Sequence, residues 1–346
     1  MTLSLENLQT RRVDPNKPLL EVDDLVMHYR IKAGEVSAVD NVGFTIHQGE
    51  AVGLVGESGC GKTSVALSLL RLLPANAEYI SGQIRLNGDD LLQLTEEEMR
   101  KRRWKDIAMV FQGAMNSWNP VYRVGDQIRE VLDTHFRGEM DIDEQTEHIE
   151  KLFAAVGLPR EMVYRYPHEF SGGMRQRAVI AMALACSPEL IIADEPTTAL
   201  DVIVQDQILK ELKRIQAELG MSILYISHDI AVIAEVTDSL GVMYAGKLVE
   251  YGPTSEVFAR PRHPYAYLLL RSTPAITGPR RQLAPLGGEP PDLLNPPSGC
   301  RFHPRCPFAT ERCSIEEPPL AEISEGHRVA CWNYEDVPEL EMELVR

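Results

Sequence analysis

The sequence predicts an α/β protein: a buried, largely parallel sheet flanked by helices, joined to an antiparallel β portion, a helix-rich insertion and a small cysteine-rich extension. Three observations predict it. Short continuous apolar runs at 51–56, 107–111, 190–194 and 222–227 have the length and composition of buried strands. Segments with helical spacing alternate with them, which is the βαβ pattern. The first run leads directly into a glycine-rich turn, 56–63, that opens a helix.

In chain order, residues 1–18 are polar and contain Pro15 and Pro18, a composition that predicts a loose leader. Segments 19–29 and 38–46 show partial alternation with glycine punctuation between them, as antiparallel strands do. After the glycine-rich turn, helical spacing runs from Thr63 to Leu73, and Pro74 stops it. Segment 82–88 reads as a further hairpin-like piece, and residues from about 124 to 169 form a charged, amphipathic, helix-rich insertion. From Arg260 onward Pro261, Pro264, Pro274, Pro279 and Pro285 are followed by two Pro-Pro pairs, 290–291 and 296–297, leaving little room for long regular structure. The domain boundary therefore falls near 258–262. No internal repeat is visible, so the 346 residues make one core domain and an appendage.

Hydrophobic residues at 44% and charged residues at 25% describe an ordinary soluble globular protein. No run of eighteen apolar residues occurs, and the first residues lack the charged and apolar blocks of a signal peptide. A cytosolic location is the expectation, with any membrane role reached through a partner. The net charge of −16 argues against a general nucleic-acid binder, because phosphate backbones need a basic surface. It also weakens direct docking on anionic lipid.

Two motifs carry chemistry. In Gly56-Glu57-Ser58-Gly59-Cys60-Gly61-Lys62-Thr63 the glycines let backbone N–H groups wrap phosphates, and the helix that follows adds a favourable dipole. Lys62 is suited to the β/γ-phosphates and the Thr63 hydroxyl to Mg²⁺, and Ser64 completes the nucleotide-binding set. Downstream, Asp194 and Glu195 end a buried strand, the end that faces the ligand crevice in a doubly wound sheet. Asp194 suits the Mg²⁺ shell and Glu195 the polarising of an attacking water.

Between these motifs stands Phe170-Ser171-Gly172-Gly173-Met174, and here the chain resembles an ABC-type ATPase, whose signature reads Leu-Ser-Gly-Gly-Gln. The resemblance runs from about Leu19 to Tyr251 in motif order. It implies a P-loop NTPase fold, with an ABC ATPase domain over 19–258 and a helical subdomain at about 113–170. It further implies that Tyr29 stacks on adenine and that Gln112 is the Q-loop residue linking the Mg²⁺ site to the region touching a membrane subunit. Asp201 in Ala199-Leu200-Asp201 becomes the D-loop aspartate, and His228 the switch histidine at the γ-phosphate. Two cassettes of that family face head to tail. Ser171, Gly172, Gly173 and Met174 would then meet the ATP held by the partner, with Met174 standing where the family has Gln.

Segment 111–120 resembles dipeptide/oligopeptide importers, with Gly113-Ala114 in place of their Asp-Pro and Trp118 in place of their Leu. The stretch from His263 through Cys313 is similar to that subfamily's C-terminal extension, here 259–346. The resemblance implies a motor subunit at the cytoplasmic face of the inner membrane. Its implied partners are a second, non-identical ATPase subunit, two transmembrane permease subunits and an extracytoplasmic substrate-binding protein. Importers of nickel complexes and of oligosaccharides belong to the same subfamily and stay open beside peptide importers. A soluble ABC ATPase outside transport is the reading from another class. Cys300, Cys306, Cys313 and Cys331 supply four thiolates, suited to a [4Fe–4S] cluster or to structural Zn²⁺. Their spacing lacks the Cys-x2-Cys knuckles common in zinc sites. Some members of the resembled subfamily carry a [4Fe–4S] cluster here, so the cluster is expected and Zn²⁺ is the alternative.

Overall fold

A computed structural model describes residues 11–272 and 286–340. The chain opens with β1 (Pro18–Ile31), β2 (Gly34–His47), β3 (Ala51–Val55), α1 (Lys62–Leu70), β4 (Ala77–Leu86), β5 (Asp89–Asp90), α2 (Glu96–Arg102) and β6 (Ile107–Val110). Its middle holds α3 (Val124–His135), α4 (Ile142–Ala155), α5 (Gly172–Ala183), β7 (Leu190–Asp194), α6 (Val202–Leu219) and β8 (Ser222–Ser227). The last third holds α7 (Ile230–Ala234), β9 (Ser239–Tyr244), β10 (Lys247–Pro253), α8 (Thr254–Ala259), α9 (Pro264–Ser272), α10 (Glu311–Ile315), β11 (Ala321–Ser324) and β12 (His327–Val329). Two interleaved compact units result. The first comprises residues up to 17, 47–50 and 94–224; the second comprises 18–46, 51–93 and 225 onward.

In the first unit β6 and β7 run parallel, from Ile107↔Leu190 to Val110↔Ala193, and every residue of both strands is buried. That is why these runs are continuously apolar. The stretch after β6 carries α3 and α4. Val124, Ile128 and Leu132 recur every four residues and line the buried face of α3, and Ile149, Leu152 and Phe153, spaced i, i+3, i+4, line that of α4. Phe153 meets Phe170 edge-on at 6.4 Å, which ties α4 to the approach of α5. Burying each such large side chain contributes about 1.5–3 kcal/mol. A capping box starts α4: Asp141 accepts from the N–H groups of Asp143 and Glu144, and the Glu144 carboxylate accepts from the Asp141 N–H. The leader proves less loose than predicted over its described part. The Arg11 guanidinium donates to the carbonyls of Ser187 and Pro188, both at 2.6 Å. Residues 1–10 of the leader lie outside the described residues.

The second unit contains an antiparallel sheet in the order β2-β1-β4-β5, with β1 and β4 in register from Leu20↔Leu86 to Tyr29↔Ala77. Leu20, Leu25, Met27, Phe44, Ile46 and Ile84 form its buried side. A further run of strands follows the order β11-β12-β10-β9-β3, with β3 and β9 parallel. Helix α1 stops at Leu70, before the predicted end at Pro74, because Arg71 turns left-handed (φ 52°) and its N–H closes on the carbonyls of Leu67 and Ser68. The proline-rich tail is more ordered than its composition predicts. Pro264 occupies the first turn of α9, where a missing N–H costs nothing. β12 joins β10 through Glu250↔Val329 and Tyr251↔Arg328. Glu250 is fully buried, and its carboxylate accepts from the N–H groups of Arg262 and His263 and from His327 Nε2, each at 2.8 Å. Pro274, Pro279 and Pro285 fall outside the described residues.

Candidate active site

The phosphate loop joins β3 to α1, and its shape requires glycine. A Cβ at Gly56 would meet Met243 O at 2.2 Å, and one at Gly61, where φ is +106°, would meet Ala38 O at 2.3 Å. A Cβ at Gly59 would meet nothing within 4 Å, and Ser58, Gly59 and Thr63 are exposed, so this side of the loop is open to a ligand. Lys62 is only 6% exposed and lies inside the curl. Its Nζ donates to Gly56 O at 2.7 Å and Glu57 O at 3.0 Å. Cys60 packs beneath the loop, where burial pushes its thiol up against the opposing pull of Lys62. Tyr29, near the end of β1, shares a 3.1 Å hydrogen bond between its hydroxyl and Ser64 Oγ. His228 follows β8 and is exposed, on a turn closed by donation from Asp229 N–H to Ser227 Oγ.

In the first unit β7 delivers Asp194, 1% exposed, and the chain then turns sharply. Glu195 takes a left-handed backbone with φ 46°, a conformation that a non-glycine residue adopts at a cost. Its Oε2 accepts from Gln112 Nε2 at 2.6 Å and from Thr198 Oγ1 at 2.8 Å. The structure thus brings Gln112 and Glu195 together as a pair, a contact that motif order alone did not reveal. Ser171 caps α5, accepting from Met174 N–H, and Asp201 caps α6, accepting from Val204 N–H. A Cβ at Gly173 would meet Val204 Cγ1 at 2.8 Å, so α6 keeps this position small. Gln112 and Asp194 in this unit, and Thr63 in the other, each carry a side-chain oxygen, the ligand type that Mg²⁺ takes.

Cys300, Cys306, Cys313 and Cys331 line one pocket, walled by Phe302 and Phe308 among others. Among the described residues, however, no group of three or more His, Cys, Asp or Glu side chains is arranged to hold a metal ion. The expected four-cysteine centre, [4Fe–4S] or Zn²⁺, therefore finds no support as a ligand shell. Burial holds the thiols up, Cys306 to about 11 and Cys331 to about 12. The Cys313 sulfur lies in polar contact with Asn333 Nδ2 at 3.7 Å and Thr310 Oγ1 at 3.4 Å.

Sequence reasoning also missed two residues at the phosphate loop. Tyr265 accepts from the Glu57 N–H, and Arg305 pairs with the Glu57 carboxylate. Neither has a local signal, since they lie 208 and 248 positions away in the chain.

A loop that only glycine can build, floored by a lysine and opening a helix, binds nucleoside phosphates. Followed in the sequence by carboxylates at the end of a buried strand, it defines the class of P-loop nucleotide hydrolases. Residues 39–198 match the family described as ABC transporter, and residues 249–313 match the oligopeptide/dipeptide transporter C-terminal region. A Brucella ovis protein named for peptide import and ATP binding is 47% identical over 335 residues, covering 93% of this chain and 98% of its own. The oligopeptide transport ATP-binding protein OppD of Salmonella typhimurium is 45% identical over 332 residues, covering 95% and 98%. Among solved structures, the dimeric ATP-binding cassette MJ0796 in a post-hydrolysis state with ADP and Pi aligns with a TM-score of 0.61 at 26% identity. That alignment covers 68% of this chain and 98% of that one. The chain belongs to the ATP-binding subunits of the oligopeptide/dipeptide branch of ABC transporters. It has the ABC ATPase fold.

Proposed function

We propose that this chain is one of two ATP-hydrolysing motor subunits of an importer for di- and oligopeptides, working at the cytoplasmic face of the membrane. The observation that supports it most is the union, in one chain, of an ABC ATPase core with a C-terminal region of the oligopeptide/dipeptide kind. Among the described residues no helix is long and apolar enough to cross a membrane, in keeping with attachment through two permease subunits. A second, non-identical ATPase subunit and an extracytoplasmic substrate-binding protein complete the assembly.

Each residue then has a role. Tyr29 stacks on adenine, the loop amides of 56–63 wrap the phosphates and Lys62 neutralises the β/γ-phosphate charge. Thr63, Gln112 and Asp194 would hold Mg²⁺, and the ion would supply compensation for the charge that develops in transfer. Glu195 polarises the attacking water; its bonds from Gln112 and Thr198 keep the carboxylate from swinging away. His228 contacts the γ-phosphate. Ser171, Gly172, Gly173 and Met174, at the N-terminus of α5, meet the ATP of the partner cassette, and Asp201 serves the same shared interface. Closure of the two cassettes on ATP and their opening after hydrolysis drive the permeases. The test is phosphate release by the transporter reconstituted with its permeases and binding protein. Stimulation by peptides is expected. Stimulation by nickel complexes or oligosaccharides instead would reassign the substrate, and release indifferent to any permease would overturn the transport role.

For the tail we infer an iron–sulfur centre in preference to a single zinc. The support is the convergence of four cysteines on one pocket, with a spacing that lacks the Cys-x2-Cys knuckles common in zinc sites. Anaerobic purification with iron, sulfide and zinc analysis decides it. Iron with sulfide is expected; zinc, or no metal, refutes it.

A further inference from the structure

The C-terminal extension reaches the nucleotide site through one residue. Glu57, second in the phosphate loop, is held at both its backbone and its side chain by the tail. Its N–H donates to Tyr265 Oη at 2.8 Å. Its carboxylate accepts a two-pronged grip from Arg305, with Nη1 to Oε2 at 2.7 Å and Nη2 to Oε1 at 3.0 Å. Such forked pairs are the strong and orienting kind of ion pair. The Arg305 side chain is 7% exposed and that of Glu57 24%, so water screens the pair far less than it would a surface bridge.

Four of the five guanidinium N–H groups have acceptors. Arg305 Nη1 also donates to Tyr244 Oη at 3.2 Å, and Nε donates to Gly287 O at 2.8 Å. The rings of Tyr244 and Phe302 lie 5.7 and 5.9 Å from it, and they pack on each other edge-to-face at 5.1 Å. On the opposite side of the same residue, the carbonyl of Glu57, with that of Gly56, receives the ammonium of Lys62. Arg305, Glu57 and Lys62 therefore form a continuous line of polar contacts, ending on the group assigned to the β/γ-phosphates. A staple that only fastened the tail could end anywhere on the core; this one ends inside the loop.

We propose that Arg305 is a positioning residue of the nucleotide site: by holding Glu57 it fixes the loop carbonyls that present Lys62, so that the C-terminal extension sets the ATP affinity of the cassette. Tyr265 fixes the same residue through its backbone. The proposal rests on membership of the ABC ATPase family and not on the transported substrate.

The experiment uses the full chain and equilibrium binding of a fluorescent ATP analogue, beside thermal melting. Arg305→Ala is expected to raise the Kd about tenfold, within the roughly 2–30-fold range of indirect couplings. Arg305→Lys keeps the charge but loses the fork, and should recover part of the affinity. Glu57→Gln should weaken binding by a factor similar to that of Arg305→Ala, and the double variant should be no weaker than either, because both changes break one contact. In the assembled transporter the effect should fall on KM for ATP, with kcat within about twofold of wild type. Unchanged affinity with only a lowered melting temperature would overturn the proposal, as would additive losses in the double variant. Should Arg305→Ala fail to fold, Arg305→Lys and Glu57→Gln carry the same comparison.

Discussion

Replacing Glu195 by Gln separates binding from hydrolysis at this site. The wild-type carboxylate uses Oε2 to accept from Gln112 and Thr198, at 2.6 and 2.8 Å. Glutamine has the same shape and keeps one carbonyl oxygen, which can take both of those bonds. Its amide takes the place of the other carboxylate oxygen and can only donate, so the acceptor that a general base needs is lost. The left-handed backbone at φ 46° is equally tolerable to either residue. Nucleotide affinity should therefore stay within about twofold of wild type, since nothing that grips phosphate has moved. Loss of a positioned general base costs about 10²–10⁴ in rate. At 1.36 kcal/mol per decade this amounts to about 2.7–5.5 kcal/mol of barrier. The assay is steady-state phosphate release by the assembled transporter, alongside equilibrium ATP binding by the chain alone. Turnover within threefold of wild type would falsify the role given to Glu195.

Three further outcomes are expected. Gly61→Ala forces a Cβ to 2.3 Å from Ala38 O at a left-handed backbone, and should cost about 1–3 kcal/mol and at least tenfold in ATP affinity; melting and binding measurements agreeing with wild type would remove the steric argument. Glu250→Ala strips three buried donors of their acceptor and should cost about 3–5 kcal/mol by urea unfolding, with faster proteolysis of the tail; a cost under 1 kcal/mol would mean that water replaces the carboxylate. His148 is held below the usual histidine range chiefly by burial, despite its bond to Ala185 O. Its folded value thus lies below the unfolded value of about 6.5, so its contribution to stability is full above pH 6.5 and is lost as pH falls toward the folded value. The slope for one proton is at most about 1.4 kcal/mol per pH unit. His148→Gln keeps a donor for Ala185 O and should flatten the urea midpoint between pH 7.5 and 5.5; an unchanged slope would assign that pH dependence to other groups.

The nucleotide residues were legible because their chemistry forces their identity. Gly56 and Gly61 sit where backbone carbonyls exclude any Cβ, and the apolar run before them is buried at every position. The helical insertion was legible because α3 and α4 expose one face and bury the other, leaving their period in the sequence. The tail was not, for a different reason in each part. β11 and β12 are four and three residues long, too short for alternation to register, and they exist because β10 offers an edge. α9 opens on a proline that looked like a breaker and serves as a first-turn residue. Arg305 and Tyr265 matter only for where the chain brings them, and contacts across some two hundred residues leave no periodic trace. Four cysteines indicate ligand chemistry by residue type, but type does not fix the spacing of the thiols once folded.

The pairing of β12 with β10 also bears on how the chain is made. A strand without a neighbour presents unpaired N–H and C=O groups that any other extended segment can capture. β10 ends at Pro253, whereas β12 begins only at His327. At about 5–20 residues per second, synthesis leaves that margin open for on the order of 4–15 s after β10 has emerged. During this interval the nascent cassette has a sticky border, and a ribosome stalled in the proline-rich stretch would prolong it. Chains cut short before His327 should therefore accumulate as aggregates even when their nucleotide loop is complete, so that the tail acts as the cassette's own selvedge.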